Sequence, residues 1–384
     1  MPDRRRAHGG IRIEPTTRIN LGGWTLNTLD TATSGTASAS TSTRALAVLL
    51  ALVAVVTTAA LSPSVAQAAP STPTPGVTTT QPTTGAPAAR VVSVVMTAPQ
   101  KARLRVFSPS MRKTISVDVL LPRDRSRPRP SLYLLDGIDA GVLTGYRQSG
   151  WTDQTDIVRF MADKSVNVVL PIGGTASYYT DWDRTDPVLG LNKWDTFLAS
   201  ELPPVIDRTF SGNGVNAIGG VSMGATGAMM LAVRHPGLYR GVAAFSGCLD
   251  LLDPTAAAAT RGSILTRGGN PDNMWGPPGD AQWRAHDPAS QVGVLKGTSL
   301  YLAVGNGLPD FSLGLAGLAS PVGGVLESGA LTCTNLFASA ARRAGVATTI
   351  NYRSGLHSWG YWNQDLHRSW PTVARALGVP VGRR

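Results

Sequence analysis

The chain is poor in cysteine, aromatic residues and charge: 2 Cys in 384 residues, 6% aromatic and 15% charged. Two cysteines cannot build a disulfide scaffold, and a chain of this length buries a core without one. Lysine is scarce too, 5 against 30 arginines, and beyond Arg4-Arg5-Arg6 the basic residues form no dense cluster. Nucleic-acid-binding proteins concentrate positive charge on one face or tail, so the formal charge of +11 does not point to that partner; it leaves a mild attraction to an anionic cell envelope. Long apolar runs are also missing. The one candidate, residues 45–61, is interrupted by Thr57-Thr58, and a bilayer span takes about 20 apolar residues. With 42% hydrophobic residues the chain is nonetheless too apolar to stay unfolded.

That short run marks an address. Arg44 precedes it and Ala66-Gln67-Ala68 follows, the pattern of a secretory signal peptide cleaved near Ala68, with an uncleaved anchor as the alternative. The stretch before Arg44 is long and polar for such a leader, so residues 1–68 read as an extended leader or as a start placed upstream of the true one. Its removal takes six Arg and three acidic residues and lowers the net charge from +11 to +8. Residues 69–89, rich in Pro and Thr, read as a linker, and residues 90–384 as one folded domain. The expected location is secreted or cell-wall associated. Cys248 and Cys333 are then free to pair, or to stay as two buried thiols.

Within the domain, residues 103–107 and 115–121 read as an antiparallel hairpin. Six short apolar runs follow, at 131–135, 166–171, 215–221, 241–245, 299–304 and 348–352, the type that fills a sheet covered on both faces. Helical stretches lie between them at 152–164, 194–206, 224–234, 329–343 and 361–377. The alternation predicts an α/β fold with a mostly parallel central sheet and helices on both faces. Residues 253–290 are too long for an ordinary connection and predict an insertion packed over one edge of a site.

Gly220-Val221-Ser222-Met223-Gly224 follows one predicted strand and opens a helix. In that context G-x-S-x-G is a nucleophile elbow, whose glycines let backbone pack on backbone and whose serine stands at a helix N-terminus. A serine needs a base, and histidine suits neutral pH. Of the five, His8 lies in the leader, His235 ends the helix after Ser222, His286 precedes any late acid and His367 is inside the last helix; His357, in a loop after the last strand, remains. Spacing favours Asp310 as the acid, six residues after its strand, with Glu327 as the other candidate. The oxyanion donors expected are the N–H groups of Met223 and Ile138, and Asp136 is expected at the mouth of the site.

LYLLDG (132–137), PIGGTASYYTDW (171–182), GGVSMG (219–224), MWGPPGDAQWRAHDP (274–288) and HSWGYW (357–362) together resemble the secreted mycolyltransferases of the antigen 85 complex, within the esterase D-like α/β-hydrolases. The resemblance spans about residues 92–378. It implies an α/β-hydrolase fold and a Ser222-His357-Glu327 triad, so that it prefers Glu327 where spacing prefers Asp310. It also implies Ile138 and Met223 as oxyanion donors, Asp136, Ser358 and Trp359 as contacts to the sugar of a trehalose ester, and no metal or cofactor. The implied activity is acyl transfer between trehalose glycolipids or to cell-wall glycan; a carboxylesterase using water, or a wall-associated binding protein without turnover, are the rivals. Asp139 stands where the family carries an arginine, and residues 183–192 lack the family's cysteine pair.

Overall fold

The computed structural model describes residues 88–310 and 321–382; the expected leader and nearly all of the linker lie outside them. The described part holds nine strands in one sheet: β1 (Arg90–Ala98), β2 (Lys101–Ser108), β3 (Lys113–Leu120), β4 (Arg129–Leu135), β5 (Asn167–Ile172), β6 (Gly212–Val221), β7 (Tyr239–Phe245), β8 (Ser299–Gly305) and β9 (Thr348–Arg353). Their spatial order is β1-β2-β3-β5-β4-β6-β7-β8-β9. Pairing is antiparallel from β1 to β5 and parallel from β5 through β4 and β6 to β9.

The central strands read as continuous apolar runs because alternate side chains enter two different cores. On one face Tyr133, Leu135, Ile218, Val242, Ala244, Leu300 and Leu302 pack with the helices α3 (Leu202–Phe210), α4 (Met223–Arg234), α5 (Pro254–Leu265) and α6 (Pro321–Arg343). On the other, Leu132, Leu134, Ala217, Ala243, Phe245 and Tyr301 pack with α1 (Gly150–Gln154), α2 (Ile157–Met161) and α7 (Trp359–Ala376). Among the described residues no helix is long and apolar enough to cross a membrane.

Several boundaries depart from the sequence pattern. β1 is not foreseen by it: Val91, Val92, Val94, Val95 and Met96 are all exposed, so no polar alternation marks the strand. The helix expected over 152–164 is broken, because the Thr155 hydroxyl bonds back to the Trp151 carbonyl and also receives the Ile157 N–H, ending α1 and starting α2. The helix from Trp194 passes through a π-helical turn, Phe197–Glu201, before α3; Pro203 and Pro204 have no N–H to offer the preceding carbonyls. Helix α6 covers Pro321–Arg343, taking in residues before the expected Gly329. Gly324 allows this, since a Cβ there would come 2.8 Å from the Gly307 carbonyl. Cys248, after β7, and Cys333, in α6, form a disulfide with Cα atoms 4.9 Å apart, which decides between the pair and two thiols.

Candidate active site

β6 ends at Val221 and α4 begins at Met223, leaving Ser222 alone in the turn with φ 55 and ψ −122. A side-chain-bearing residue held there stores about 1–3 kcal/mol. The Ser222 N–H is tied to the Phe245 carbonyl at 2.8 Å. The flanking glycines make the turn possible: a Cβ at Gly220 would stand 2.4 Å from the Gly224 carbonyl group, and one at Gly224 would stand 2.3 Å from the Asp136 carbonyl. Helix α4 can therefore lie directly against the strand ends.

Ser222 Oγ is 2.8 Å from His357 Nε2, and His357 Nδ1 is 2.8 Å from Glu327 Oε2. The three groups come from the end of β6, the loop after β9 and the second turn of α6. Glu327 is fully buried. Its second oxygen, Oε1, accepts from Ser246 Oγ at 2.8 Å and from the Gly305 N–H at 2.6 Å, and lies 3.4 Å from Arg353 Nη2. Burial alone would raise the Glu327 pKa; the hydrogen bond and charge of His357, the Arg353 guanidinium and the Gly305 N–H outweigh it and hold the carboxyl below its ordinary range. Arg353 is shared with the buried Asp365, whose carboxylate receives its Nε at 2.8 Å. Behind His357 stands Trp362, edge-on at 4.9 Å between ring centres, with its Nε1 donating to Ser246 Oγ at 3.0 Å.

Of the two candidate acids, the structure brings Glu327 to the imidazole. Asp310 is tied instead through its backbone N–H to the Tyr361 hydroxyl at 3.0 Å. Ser246, Gly305, Arg353 and Trp362 have no signature that spacing reveals; the one local hint is Ser246-Gly247 at the mouth of an apolar strand, with Ser246 at φ 53.

The loop after β4 lies against the serine, since a Cβ at Gly137 would be 3.7 Å from Ser222 Cβ. The Ile138 N–H in that loop has no acceptor within the described residues, and the Met223 N–H is the first of helix α4, one of the donors a helix leaves unpaired. Asp136 differs from expectation. It is 1% exposed, so it is not at the mouth of the site; its two oxygens accept from Ser149 Oγ at 2.6 Å and the Gly150 N–H at 2.9 Å. The Asp136 carboxyl is pushed up to about 6 by burial, against the Ser149 hydroxyl and the N–H groups of Gly150 and Trp151. Ser358 and Trp359 follow His357 and are half-buried. Trp359 packs edge-on against Trp151 and Trp362 and leaves no space at Gly150, where a Cβ would fall 2.4 Å from its ring.

The remaining described histidines are placed elsewhere. His235 pairs with Asp195, His286 stacks on Trp275, and His367 stacks on Phe160 and bonds Asp156. The predicted insertion does reach the site's edge: from it, Arg267 bonds Asp139 at 2.7 Å, one residue beyond Ile138. No group of three or more His, Cys, Asp or Glu among the described residues is arranged to hold a metal ion.

A family model described as putative esterase matches residues 108–373. The chain is similar to the diacylglycerol acyltransferase/mycolyltransferase Ag85A of Mycobacterium tuberculosis (strain ATCC 25618 / H37Rv), with 33% identity over 288 residues, 72% of this chain and 81% of the relative. The Ag85B protein of Mycobacterium avium is 32% identical over 293 residues, 73% of this chain and 84% of its own. Among solved structures, Mycobacterium tuberculosis MPT51 (FbpC1) superposes with a TM-score of 0.59 at 27% identity, covering 70% of this chain and 96% of that one. An S-formylglutathione hydrolase from Agrobacterium tumefaciens shares the fold, with a TM-score of 0.51 at 19% identity over 75% of this chain and 99% of its own.

Proposed function

Because the chain belongs to the antigen 85 mycolyltransferase family of esterase-type α/β-hydrolases, a group of acyltransferases and esterases, we propose that it is an exported serine acyltransferase that moves a long-chain, mycolic-type acyl group between trehalose esters or onto a cell-wall sugar. The observation that carries this reading is the position of His357, within 2.8 Å of both Ser222 Oγ and Glu327 Oε2. The Arg44-led apolar run and the Ala66-Gln67-Ala68 site support export.

In the proposed reaction His357 Nε2 takes the Ser222 proton as Oγ attacks the ester carbonyl. The N–H groups of Ile138 and Met223 receive the oxyanion, a type of contact worth about 3–4 kcal/mol per donor in comparable sites. Glu327 holds the imidazole in the tautomer that accepts from serine and stabilises the cation formed. His357 then returns the proton to the leaving trehalose oxygen, and the acyl group stays on Ser222. A hydroxyl of a second trehalose lipid or of wall glycan gives its proton to His357 and takes the acyl group, regenerating the serine. Ser358 and Trp359, beside the base, are the proposed sugar contacts. Asp136 acts one step back, fixing residues 149–151 against which Trp359 packs.

The test is incubation with a trehalose monoester, with and without added sugar, alongside a fluorophosphonate probe. Diester formation that disappears in Ser222→Ala, together with loss of labelling, is the expected result. Release of free acid with no diester would make the protein a carboxylesterase, and an unlabelled wild type would leave it a binding protein.

A further inference from the structure

A cavity of about 490 Å³ lies on the far side of the oxyanion loop, between the start of β3, the end of β5 and the insertion. Its volume fits a small ligand. The wall is shaped by Gly173 and Gly174, at φ 117 and 89, conformations that glycine adopts freely; a Cβ at Gly174 would stand 2.9 Å from the Trp194 ring. The insertion closes the other side, where Gly269 packs so tightly that a Cβ would be 2.3 Å from Leu189.

Two cations line this cavity, Lys113 and Arg267, and no carboxylate does. Arg267 is committed to Asp139 through Nε and Nη2, at 3.2 and 2.7 Å. Lys113 has no carboxylate within salt-bridge distance among the described residues; its ammonium stands 5.7 Å from the centre of the Trp194 ring. Desolvation around that ammonium lowers the Lys113 pKa although the residue as a whole is exposed. A cation in this position gains from any anion that enters. The rest of the polar lining is neutral: Tyr146 and Thr175, whose hydroxyls are 3.0 Å apart, Thr114, Ser116, and the buried Asn192, whose amide is bonded to Trp194 Nε1 and to the carbonyls of Leu189 and Gly190. Neutral hydroxyl groups beside an indole suit a polyhydroxylated ring.

We propose that this cavity binds a sugar bearing an anionic group, a phosphate or a carboxylate, with the anion at Lys113 and the ring hydroxyls at Tyr146 and Thr175. The site is joined to the catalytic side: the Gly173 N–H, Thr175 Oγ1 and Ala176 N–H donate to the carbonyls of Ala140, Asp139 and Ile138 at 3.0, 3.1 and 3.0 Å. It goes beyond the acyl-transfer reading and does not depend on it.

The experiment is isothermal titration calorimetry of the protein with glucose 6-phosphate, glucuronate, glucose and inorganic phosphate at low ionic strength. At least one of the two anionic sugars should bind about tenfold or more tightly than glucose and than phosphate, and the tighter of the two identifies the anion. Lys113→Gln should lose about tenfold in that affinity, Lys113→Arg should keep most of it, and both should hydrolyse a p-nitrophenyl ester at the wild-type rate. Ser222→Ala should bind the sugar unchanged, which separates this result from the fate of the acyl-transfer reading. Equal binding of glucose and the anionic sugars, phosphate binding as tightly as the sugar phosphate, no heat with any of them, or an unaffected Lys113→Gln would each overturn the proposal.

Discussion

Replacing Glu327 by Gln should silence the site without disturbing the fold, and the structure says why in detail. Three groups converge on Oε1: the Ser246 hydroxyl, the Gly305 N–H and the Arg353 guanidinium. The first two donate hydrogen bonds and the third is a nearby cation, so in the amide they fix the carbonyl oxygen at that position and turn the NH₂ toward His357. His357 Nδ1, 2.8 Å away, must then accept rather than donate. The ring proton moves to Nε2, where it faces Ser222 Oγ, and the base can no longer take the serine proton. A tautomer reversed in this way in another serine enzyme lowers kcat about 10⁴-fold, equivalent to about 5.5 kcal/mol of barrier. The size of the side chain and its buried hydrogen bonds are retained, so Tm should move little. Steady-state hydrolysis of a p-nitrophenyl ester, with a thermal melt of the same sample, reads both quantities. A Glu327→Gln variant within tenfold of wild-type kcat would refute the assignment, and one that melts far earlier would show that the carboxylate is needed for the fold.

Further outcomes follow from the same geometry. Gly224→Ala places a Cβ 2.3 Å from the Asp136 carbonyl; relief requires a backbone shift costing about 1–3 kcal/mol or more, so we expect a lower denaturation midpoint together with lost activity, and wild-type behaviour in both would contradict the close approach. The Cys248–Cys333 bond closes an 85-residue separation, for which loop-closure entropy gives an upper figure of about 4–5 kcal/mol; the Cys248→Ser, Cys333→Ser double variant should melt about 5–15 °C lower, and an unchanged melt under reducing conditions would show that the bridge contributes nothing. Asp136, raised to about 6 by burial, binds more protons folded than unfolded between roughly pH 4 and 6. Its stabilising contribution is therefore complete below about pH 4 and disappears as pH climbs through about 6, a swing of about 2–3 kcal/mol. Urea midpoints of wild type and Asp136→Asn across that range should differ in slope, and parallel curves would mean the group does not titrate there.

How much was legible follows from how local each feature is. Five of the six predicted strands could be read because both of their faces are buried, leaving uninterrupted apolar runs such as residues 131–135; β9, half-buried to exposed along its length, carries no such run. The elbow could be read because its physics is complete within five residues, and His357 because the chain offers few histidines. The carboxylate beside the imidazole is different. Glu327 is one of only three glutamates in the chain, but its reach to His357 depends on α6 already being helical at Pro321 and pressing Gly324 on Gly307, a contact between segments that no spacing rule encodes. Asp136 was misplaced for a related reason: a carboxylate in a loop reads as exposed until the Ser149 and Gly150 donors that enclose it are seen. β1 escaped because an edge strand exposed on both sides has no hydrophobic period.

Ser222 stands at the end of β6 and His357 four residues beyond β9, with two strands between them in the sheet. A strand that docks one residue out of step is displaced by about 3.3 Å, more than the tolerance of a hydrogen bond. Turnover thus serves as a vernier for the parallel strands from β6 to β9: a molecule whose rim strand β9 has seated out of step holds His357 away from Ser222, and announces the error by failing to cleave an ester.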